Sequence, residues 1–281
     1  MSVMLYPNPL KDAGFAVTRQ ACRLLREYGE TVLAADAFRS QLDGEPITFL
    51  PEDEAFAQAS LVVTIGGDGT LLRACTPCLD HQKPVLGVNL GRTGFLATCE
   101  VGQMPHKLAR LAKGDYLLEH RSLLHGENPE CGWKADALND LVLYGASRMH
   151  PMDYTVFCDG SFVCRYRSDG VIFATPTGST AYSLSAGGPI LDSCTQAFVM
   201  HGICAHGIQM APIVFSAGRN ITVVAEPENR EDVYLCADSH SRCAIRAGGQ
   251  VQICTTKRTL DLISFANAEQ FEAIDSKLMR R

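Results

Sequence analysis

The sequence predicts an α/β N-terminal domain with a βαβ-type sheet, then a mostly-β C-terminal domain, with the last helix returning to the N-terminal domain. β-branched runs without polar alternation mark the first hundred residues, as in parallel strands buried on both faces. Alternating strands with tight turns mark the later part of the chain. An apolar helical stripe closes the sequence and needs an apolar partner. We therefore assign residues 1–100 with 258–281 to the α/β domain and 101–257 to the β-rich domain.

The chain opens with a strand and a helix. Val3–Tyr6 is a short apolar run closed by two prolines, which predicts the strand. Residues 13–28 carry apolar side chains at helical spacing, with Asp12 placed as the N-cap and Gly29 as the stop. This pair of elements is the first unit of an alternating α/β pattern.

A βαβ arrangement follows. Leu61–Ile65 is a β-branched run without polar alternation that predicts a strand buried on both faces, and Pro84–Val88 predicts a second. A glycine-rich turn and a helix starting near Thr70 lie between them. Residues 104–111 predict another helix, which a proline starts and Gly114 ends.

The later part of the chain reads as β structure. Residues 152–156 and 162–166 alternate on either side of Asp159-Gly160, a pattern typical of a hairpin. Further strand candidates are Ile221–Val224, Val233–Leu235 and Val251–Ile253, with a turn at Gly248-Gly249. Phe271, Ile274 and Leu278 form the closing helical stripe, which we expect to pack on the first domain.

Composition narrows the possible functions. The 281 residues are 46 % apolar, enough to form a core, and 25 Lys and Arg against 31 Asp and Glu give a net charge of −6. Proteins that bind nucleic acid or anionic membranes usually carry a net positive charge. No apolar stretch approaches the roughly 18 residues of a membrane span, and Met1–Leu10 lacks a signal-peptide pattern. We expect a cytoplasmic enzyme without nucleic-acid or membrane partners.

The twelve cysteines are expected to be reduced thiols, because no secretion signal accompanies them. Cys75 and Cys78 form the one C-x-x-C pair, and no second pair stands at zinc-finger spacing from it. We interpret them as ordinary thiols, and expect no metal bound by protein residues alone.

The first segment that suggests chemistry is Gly66-Gly67-Asp68-Gly69-Thr70, between the buried strand and its helix. Glycines at the end of a strand let backbone N–H groups approach phosphate oxygens, and the helix N-terminus adds positive potential. Asp68 would project toward the ligand, where a carboxylate can accept a proton from an attacking hydroxyl. The alternative is a structural βα turn in which Asp68 only caps the helix.

The second segment is the long run from Ser168 to Pro189, crowded with small and hydroxylated residues. Such a run offers short hydrogen-bonding groups and close backbone approach, and Tyr182 offers an aromatic face for a base. A Ser/Gly-rich surface loop is the plainer interpretation.

With these segments, the sequence resembles the bacterial NAD kinases over essentially its whole length. Gly66–Leu72 resembles the GGDG signature of that family, Pro84–Leu96 its second block, and Leu138–Asp140 its Asn-Glu/Asp pair. Thr175–Pro189 resembles its longest motif almost letter for letter. The GGDGT turn also occurs in lipid kinases and phosphofructokinases, whereas the four blocks in this order are specific.

The resemblance implies transfer of the γ-phosphoryl group of ATP, or of polyphosphate, to the adenosine ribose 2′-hydroxyl of NAD, giving NADP. Asp68 would be the general base, and Asn139 and Asp140 would hold the adenosine end. A divalent metal, magnesium, would arrive with the nucleotide phosphates. The phosphate-binding residues would be Gly66, Gly67, Gly69 and Thr70. The NAD-binding residues would be Asp68, Gly69, Arg73, Asn139, Asp140, His150, Arg167, Asp169, Thr180, Ala181, Tyr182, Ser183, Leu184, Ser185 and His240.

The resemblance also implies a homo-oligomer, a dimer or tetramer, since some pocket residues of the family come from a neighbouring subunit. The chain departs from the family at Ala205, Gly207 and Ala211, where Pro, Ser or Thr, and Arg are usual, and at Thr93, usually leucine. These changes are expected to affect packing between domains or subunits more than the catalytic chemistry. Two alternatives stay open: a lipid-kinase-type GGDGT phosphotransferase, and a non-catalytic NAD(P)-binding regulator.

Overall fold

The computed structural model describes residues 1–91, 94–146, 150–206, 211–266 and 269–275. The chain folds into two compact units, Met1–His120 with Leu260–Arg281, and Arg121–Thr259. Thr93, Gly207 and Leu278, which the sequence singled out, lie outside the described residues.

The described residues form eighteen strands and six α-helices. The strands are β1 (Ser2–Pro7), β2 (Thr31–Ala35), β3 (Thr48–Leu50), β4 (Leu61–Gly66), β5 (Val85–Asn89), β6 (Cys99–Glu100), β7 (Leu117–Asn128), β8 (Trp133–Ala137), β9 (Asp140–Gly145), β10 (Met152–Cys158), β11 (Ser161–Ser168), β12 (Gly170–Ala174), β13 (Ala197–Ile203), β14 (Ile213–Ser216), β15 (Ile221–Ala225), β16 (Val233–Ala237), β17 (Ser241–Ile245) and β18 (Gln250–Ser264). The helices are α1 (Ala16–Glu27), α2 (Glu52–Gln58), α3 (Asp68–Asp80), α4 (Met104–Ala112), α5 (Tyr182–Ser185) and α6 (Glu269–Ile274).

The first unit is built on a parallel sheet. Strands pair in the order β3-β2-β1-β4-β5, and the end of β18 joins β5 in parallel at Leu262 and Val85. Every residue of β4 and β5 is buried, as the runs without polar alternation predict for strands covered on both faces. The predicted βαβ arrangement is confirmed, and the sequence of β4 leads directly into the glycine turn.

Helix α4 extends the first unit beyond the boundary expected at residue 100. Met104, Leu108 and Leu111 are fully buried and join a core cluster with Ala21 and Leu25 of α1. Because these apolar side chains pack on the helix that covers the parallel sheet, the unit continues to His120.

The start of α1 differs from the expectation. A 3₁₀ turn at Ala13–Phe15, with Gly14 at φ 63°, precedes the helix, which begins at Ala16. Asp12 still acts on the helix N-terminus, because its carboxylate accepts the N–H groups of Val17 at 3.0 Å and Thr18 at 2.9 Å. The carboxylate therefore satisfies N–H groups one turn later than an N-cap at residue 12 would.

The second unit is mostly β, as predicted. A six-stranded antiparallel sheet has the order β14-β13-β12-β9-β16-β17. Strands β10 and β11 form the predicted hairpin, and β10 continues through β15 to the start of β18. Side chains such as Leu143, Phe173, Tyr154 and Val223 pack in one large buried cluster on one face of the six-stranded sheet. The opposite face carries a smaller buried cluster, made of Val142, Ile172, Ala174 and Val199.

The last helix, α6, belongs to the first unit as expected, but through a different face. Gln270 and Ala273 are buried, whereas Phe271 is 52 % exposed. The expected stripe is therefore wrong at Phe271, because successive helical residues point about 100° apart and the face of Gln270 and Ala273 is the one that packs. Within the described part of the chain, none of the helices has the length and apolar character needed to cross a bilayer.

Candidate active site

The glycine turn lies where the buried strand β4 gives way to α3. Gly66 ends the strand and Asp68 is the first residue of the helix. The N–H groups in the first turn of α3 carry partial positive charge, and those of Thr70 and Leu71 donate to the Gly67 carbonyl at 2.8 and 3.2 Å. The positive potential suits an anion, and the assignment of phosphate binding to Gly66, Gly67, Gly69 and Thr70 stays a prediction.

The carboxylate of Asp68 is held by the chain that follows β5. Its oxygens accept the backbone N–H groups of Phe95 at 2.9 Å, Leu96 at 3.2 Å and Ala97 at 2.8 Å. A Cβ on Gly94 would lie 1.8 Å from Oδ1 of Asp68, so only glycine admits this approach. Three N–H donors fix the carboxylate in one orientation.

Cationic and amide side chains surround the turn. The Asn8 amide donates to the Thr70 hydroxyl at 3.1 Å, and Arg73 donates to the same oxygen at 3.4 Å. The ammonium of Lys11 lies 3.1 Å from the position that a Cβ on Gly67 would take. Lys11 was missed by sequence reasoning. The available signal was its place after β1, because neighbouring parallel strands β1 and β4 end at the same sheet edge.

In the second unit, Asp238 holds the segment that carries Asn139 and Asp140. Its carboxylate accepts the backbone N–H groups of Leu138 at 2.7 Å, Asn139 at 2.8 Å and Asp140 at 3.0 Å. In return, the Asp238 N–H donates to the Asp140 carbonyl at 3.1 Å. Sequence reasoning named His240 in this region but not Asp238, which fixes the backbone of the predicted pair.

The Thr175–Pro189 motif bonds to the backbone carbonyl groups of the segment that carries Asn139 and Asp140. The Thr175 N–H donates to the Asn139 carbonyl at 2.9 Å, and the Thr175 hydroxyl donates to the Leu138 carbonyl at 2.5 Å. A Cβ on Gly178 would lie 1.9 Å from that Asn139 carbonyl oxygen, so glycine is required where the motif passes the pair. Two motifs far apart in sequence are therefore brought together within the second unit.

Asp140 has an unusual environment for a carboxyl group. It is 6 % exposed, and burial, together with the charge of Asp238, raises the pKa of Asp140 to about 7. Among the described residues, no cation or hydrogen-bond donor is recorded for its side chain. A buried acceptor without a protein partner is available for hydroxyl groups of a ligand.

A cavity of about 800 Å³ opens on the outer face of the six-stranded sheet. Asp140, Val142 and Tyr144 alternate along β9 and face it, opposite the core side of that strand. Its lining residues are Asp140, Val142, Tyr144, Gly145, Asp169, Tyr182, Ile203, Cys204, Cys236, Ser239, His240 and Arg242. The structure thus gathers four predicted NAD-binding residues around one cavity, those at positions 140, 169, 182 and 240.

The side chains of the segment from Thr180 to Ser185 differ in whether they line the cavity or bond within the protein. Tyr182 is 47 % exposed and lines the cavity. The Thr180 hydroxyl donates to the Thr177 carbonyl at 3.1 Å, and the buried Ser183 hydroxyl pairs with Nε2 of His201 at 3.0 Å, so both are used inside the protein. Ala181 and Leu184 are half-buried, and Ser185 is exposed.

Thr177 was not among the predicted site residues. Its hydroxyl is buried and has no hydrogen-bond partner in the described part of the chain. A buried, unsatisfied hydroxyl costs free energy unless something else bonds to it, so Thr177 joins the candidate site. The signal in the sequence was its place inside the Thr175–Pro189 motif.

His150 and Arg167 lie at a different cavity of the second unit, of about 180 Å³. His150 Nδ1 lies 3.3 Å from Glu231, and the Arg167 guanidinium lies 3.7 Å from Asp153. Neither residue lines the larger cavity of the same chain. Among the family departures, Ala205 packs against the core cluster and Ala211 is exposed.

Comparisons with known proteins agree with this arrangement. Residues 3–116 match the ATP-NAD kinase N-terminal domain family, and residues 138–265 match the ATP-NAD kinase C-terminal domain family. NAD kinase of Cellvibrio japonicus is 38 % identical over 221 residues, covering 78 % of this chain and 74 % of that protein. NAD kinase of Ectopseudomonas mendocina is 32 % identical over 263 residues, covering 92 % of this chain and 89 % of that protein.

Solved structures match the fold. Yeast NADH kinase complexed with NADH has a TM-score of 0.89 at 22 % identity, covering 100 % of this chain and 88 % of that one. An NAD kinase from Archaeoglobus fulgidus in complex with ATP has a TM-score of 0.77 at 23 % identity, covering 99 % of each chain. At these identities the likeness concerns the fold alone.

Proposed function

Because the chain belongs to the NAD kinase family, we propose that it transfers the γ-phosphoryl group of ATP, or of polyphosphate, to the adenosine ribose 2′-hydroxyl of NAD. The product is NADP. One observation carries the acceptor assignment: Asp238 and Thr175 fix the Asn139–Asp140 backbone, and the Asp140 carboxyl faces the large cavity with no protein partner among the described residues.

On the acceptor side, each group has a distinct task. The Asp140 carboxylate accepts ribose hydroxyl hydrogen bonds, which are stronger when the acceptor is ionised. The Asn139 amide reads the adenine edge, because an amide offers both a donor and an acceptor. The Tyr182 ring stacks on the base, and the Thr177 hydroxyl supplies a further polar contact. Asp169 and His240 line the same space.

Asp68 is the general base. Its carboxylate accepts the 2′-hydroxyl proton as the 2′-oxygen bonds to the γ-phosphorus and the bond from that phosphorus to the β-γ bridging oxygen breaks, releasing ADP. Backbone N–H groups hold the carboxylate in one orientation, which favours in-line geometry. Phosphoryl transfer depends chiefly on such positioning.

The donor phosphates bind at the glycine turn. Backbone N–H groups of Gly66, Gly67 and Gly69 and the hydroxyl of Thr70 approach the phosphate oxygens, and the Lys11 ammonium beside Gly67 balances their charge. Among the described residues no cluster of three or more His, Cys, Asp or Glu side chains suits a metal ion. Magnesium would arrive bound to the nucleotide phosphates and to water, where it would neutralise phosphate charge.

We infer from His150 and Arg167 a homo-oligomer, a dimer or tetramer, in which a neighbouring subunit completes the acceptor site. The positions of His150 and Arg167 at a smaller cavity support a contribution to the site of another copy. We place the enzyme in the cytoplasm, where NAD, ATP and magnesium are all available.

The two alternative functions are less well supported. The relatives described above are named NAD kinase, and both matching family models are ATP-NAD kinase domains. A regulator that only binds NAD(P) would not need a carboxylate held by three N–H groups at the phosphate turn.

The decisive experiment uses purified protein with NAD, ATP and magnesium, and an NADP-specific dehydrogenase as the readout. Parallel reactions replace ATP by polyphosphate, NAD by NADH, and magnesium by a chelator. Formation of NADP only with a phosphoryl donor and metal supports the proposal. If no donor yields NADP while NAD still binds, the protein is a binding module and the kinase assignment is wrong.

A further inference from the structure

Among the described residues that line the large cavity, Arg242 is the one lysine or arginine. It lies on β17, where its pair partner is Cys236 of β16, and both face the outer side of the six-stranded sheet. Its neighbours on that side include Tyr144 of β9 and Tyr234 of β16, which stand opposite each other. Neither the sequence motifs nor the family resemblance assigns Arg242 a role.

Two aromatic side chains hold the guanidinium in place. It lies 5.4 Å from the centroid of the Tyr234 ring, within the range of a cation–π contact. The Tyr144 ring stacks on Tyr234 with centroids 5.8 Å apart. A hydrogen bond to the Tyr144 phenol oxygen raises the pKa of Arg242. The cation is thus positioned without using all of its N–H donors.

No carboxylate pairs with Arg242 among the described residues, whereas two other exposed arginines of the second unit each have an acidic partner. Arg219 lies 2.8 Å from Asp159, and Arg165 lies 3.6 Å from Glu226. The acidic groups facing the same cavity are Asp140 and Asp169. They would repel a dinucleotide that carries two phosphate charges, so a fixed and unneutralised guanidinium is needed to offset them.

We propose that Arg242 binds a phosphate group of the dinucleotide in the acceptor cavity, an inference that rests on the proposed NAD kinase function. The planar guanidinium presents two parallel N–H donors to a phosphate, which is a stronger and more directional contact than an ammonium makes. The phosphate has two possible sources in the same ligand class. The pyrophosphate is common to NAD and NADP, whereas the 2′-phosphate belongs to the product NADP alone.

The test compares Arg242→Gln and Arg242→Lys with the wild type by titration calorimetry. Each protein is titrated with NAD, NADP and adenosine, the last being a phosphate-free probe. Removing a charged hydrogen-bond partner costs roughly 10–150-fold in affinity. We expect that loss for a dinucleotide with Arg242→Gln, partial recovery with Arg242→Lys, and unchanged adenosine binding. Arg246→Gln, exposed just beyond the same strand and lining another cavity, is the matched control.

The outcomes separate cleanly. Equal loss for NAD and NADP places the pyrophosphate at Arg242, and loss for NADP alone places the 2′-phosphate there. Unchanged affinity for both dinucleotides, or an equal loss for adenosine, overturns the proposal, the latter because Arg242 would then only shape the cavity. Failure of the kinase function is recognised separately, since the wild-type protein would then form no NADP whatever the Arg242 variants bind.

Discussion

The backbone N–H of Asp140 donates to the carboxylate of Asp238 at 3.0 Å, which brings two acidic residues together in the acceptor site. Burial also raises the pKa of Asp238, while the N–H groups it accepts oppose that shift. The Asp238 carboxylate therefore binds backbone N–H groups, whereas the Asp140 carboxyl, whose pKa is about 7, faces the cavity. One acid positions the segment and leaves the other available to a ligand.

The first prediction concerns the pH dependence of NAD use. Because the ionised Asp140 carboxylate is the stronger acceptor, kcat/KM for NAD should rise as pH increases through about 7. Asp140→Asn should flatten that limb, and Asp140→Ala should lower kcat/KM for NAD by roughly 10–150-fold. Steady-state kinetics from pH 5.5 to about 8.5 measure this. A wild-type pH limb in Asp140→Asn would show that another group titrates.

The second prediction concerns stability. The folded pKa of Asp140, about 7, lies above its model-compound value of 3.8, so the stability contribution of this group is greatest below the lower value and is lost as pH rises toward the higher one. Asp140→Asn should therefore raise the free energy of unfolding, by at most about 4 kcal/mol at alkaline pH. Denaturant unfolding should show a larger gain at pH 8 than at about pH 5. An equal gain at both would contradict the shift.

The third prediction tests Asp68. Asp68→Asn should lower kcat by about 10²–10⁴-fold, because the amide cannot accept the hydroxyl proton, while NAD still binds. The amide nitrogen would also face one of the N–H donors from residues 95–97, so a larger loss is possible through misplacement of that loop. Asp43→Asn, at an exposed position in the same unit, is the control. Near-wild-type turnover in Asp68→Asn would remove the residue from its role.

The fourth prediction tests the adenine contact. Tyr182→Ala should raise KM for NAD by roughly 5–150-fold, because stacking of an aromatic ring on a base contributes about 1–3 kcal/mol. The KM for ATP should stay unchanged when the two substrates are varied separately. Phe162→Ala, 64 % exposed on the β10–β11 hairpin, should change neither constant. If only the ATP dependence suffered, the Tyr182 segment would belong to the donor nucleotide.

The fifth prediction tests Lys11. Lys11→Gln should raise KM for ATP by roughly 2–10-fold, because one cation beside the phosphate turn is lost. The KM for NAD should not move, and Lys113→Gln, exposed elsewhere in the first unit, should leave both constants unchanged. Higher salt should shrink the difference between Lys11→Gln and wild type, since screening weakens exposed charges. An unchanged KM for ATP would exclude the contact.

Much of the fold was determined by the sequence itself. The runs without polar alternation in β4 and β5, and the glycines between them, predict their structure locally, because strands buried on both faces are dominated by β-branched and other apolar residues. The spacing of apolar residues and the identity of the turn residues also predict the hairpin around Asp159-Gly160 and helix α4, and both are present. The four motifs in order identified the family, which matches both halves of the chain.

The tertiary structure alone decided which groups in those motifs are free to act. Asp238 lies 98 residues from Asp140 in sequence, and no local pattern indicates that its carboxylate accepts three N–H groups of the Asn139–Asp140 segment. The raised pKa of Asp140, the engagement of Ser183 with His201, and the exposed Phe271 likewise depend on desolvation and on partners supplied by strand register. These properties belong to atoms brought together by folding, so the sequence names the residues and only the packing sets their chemistry.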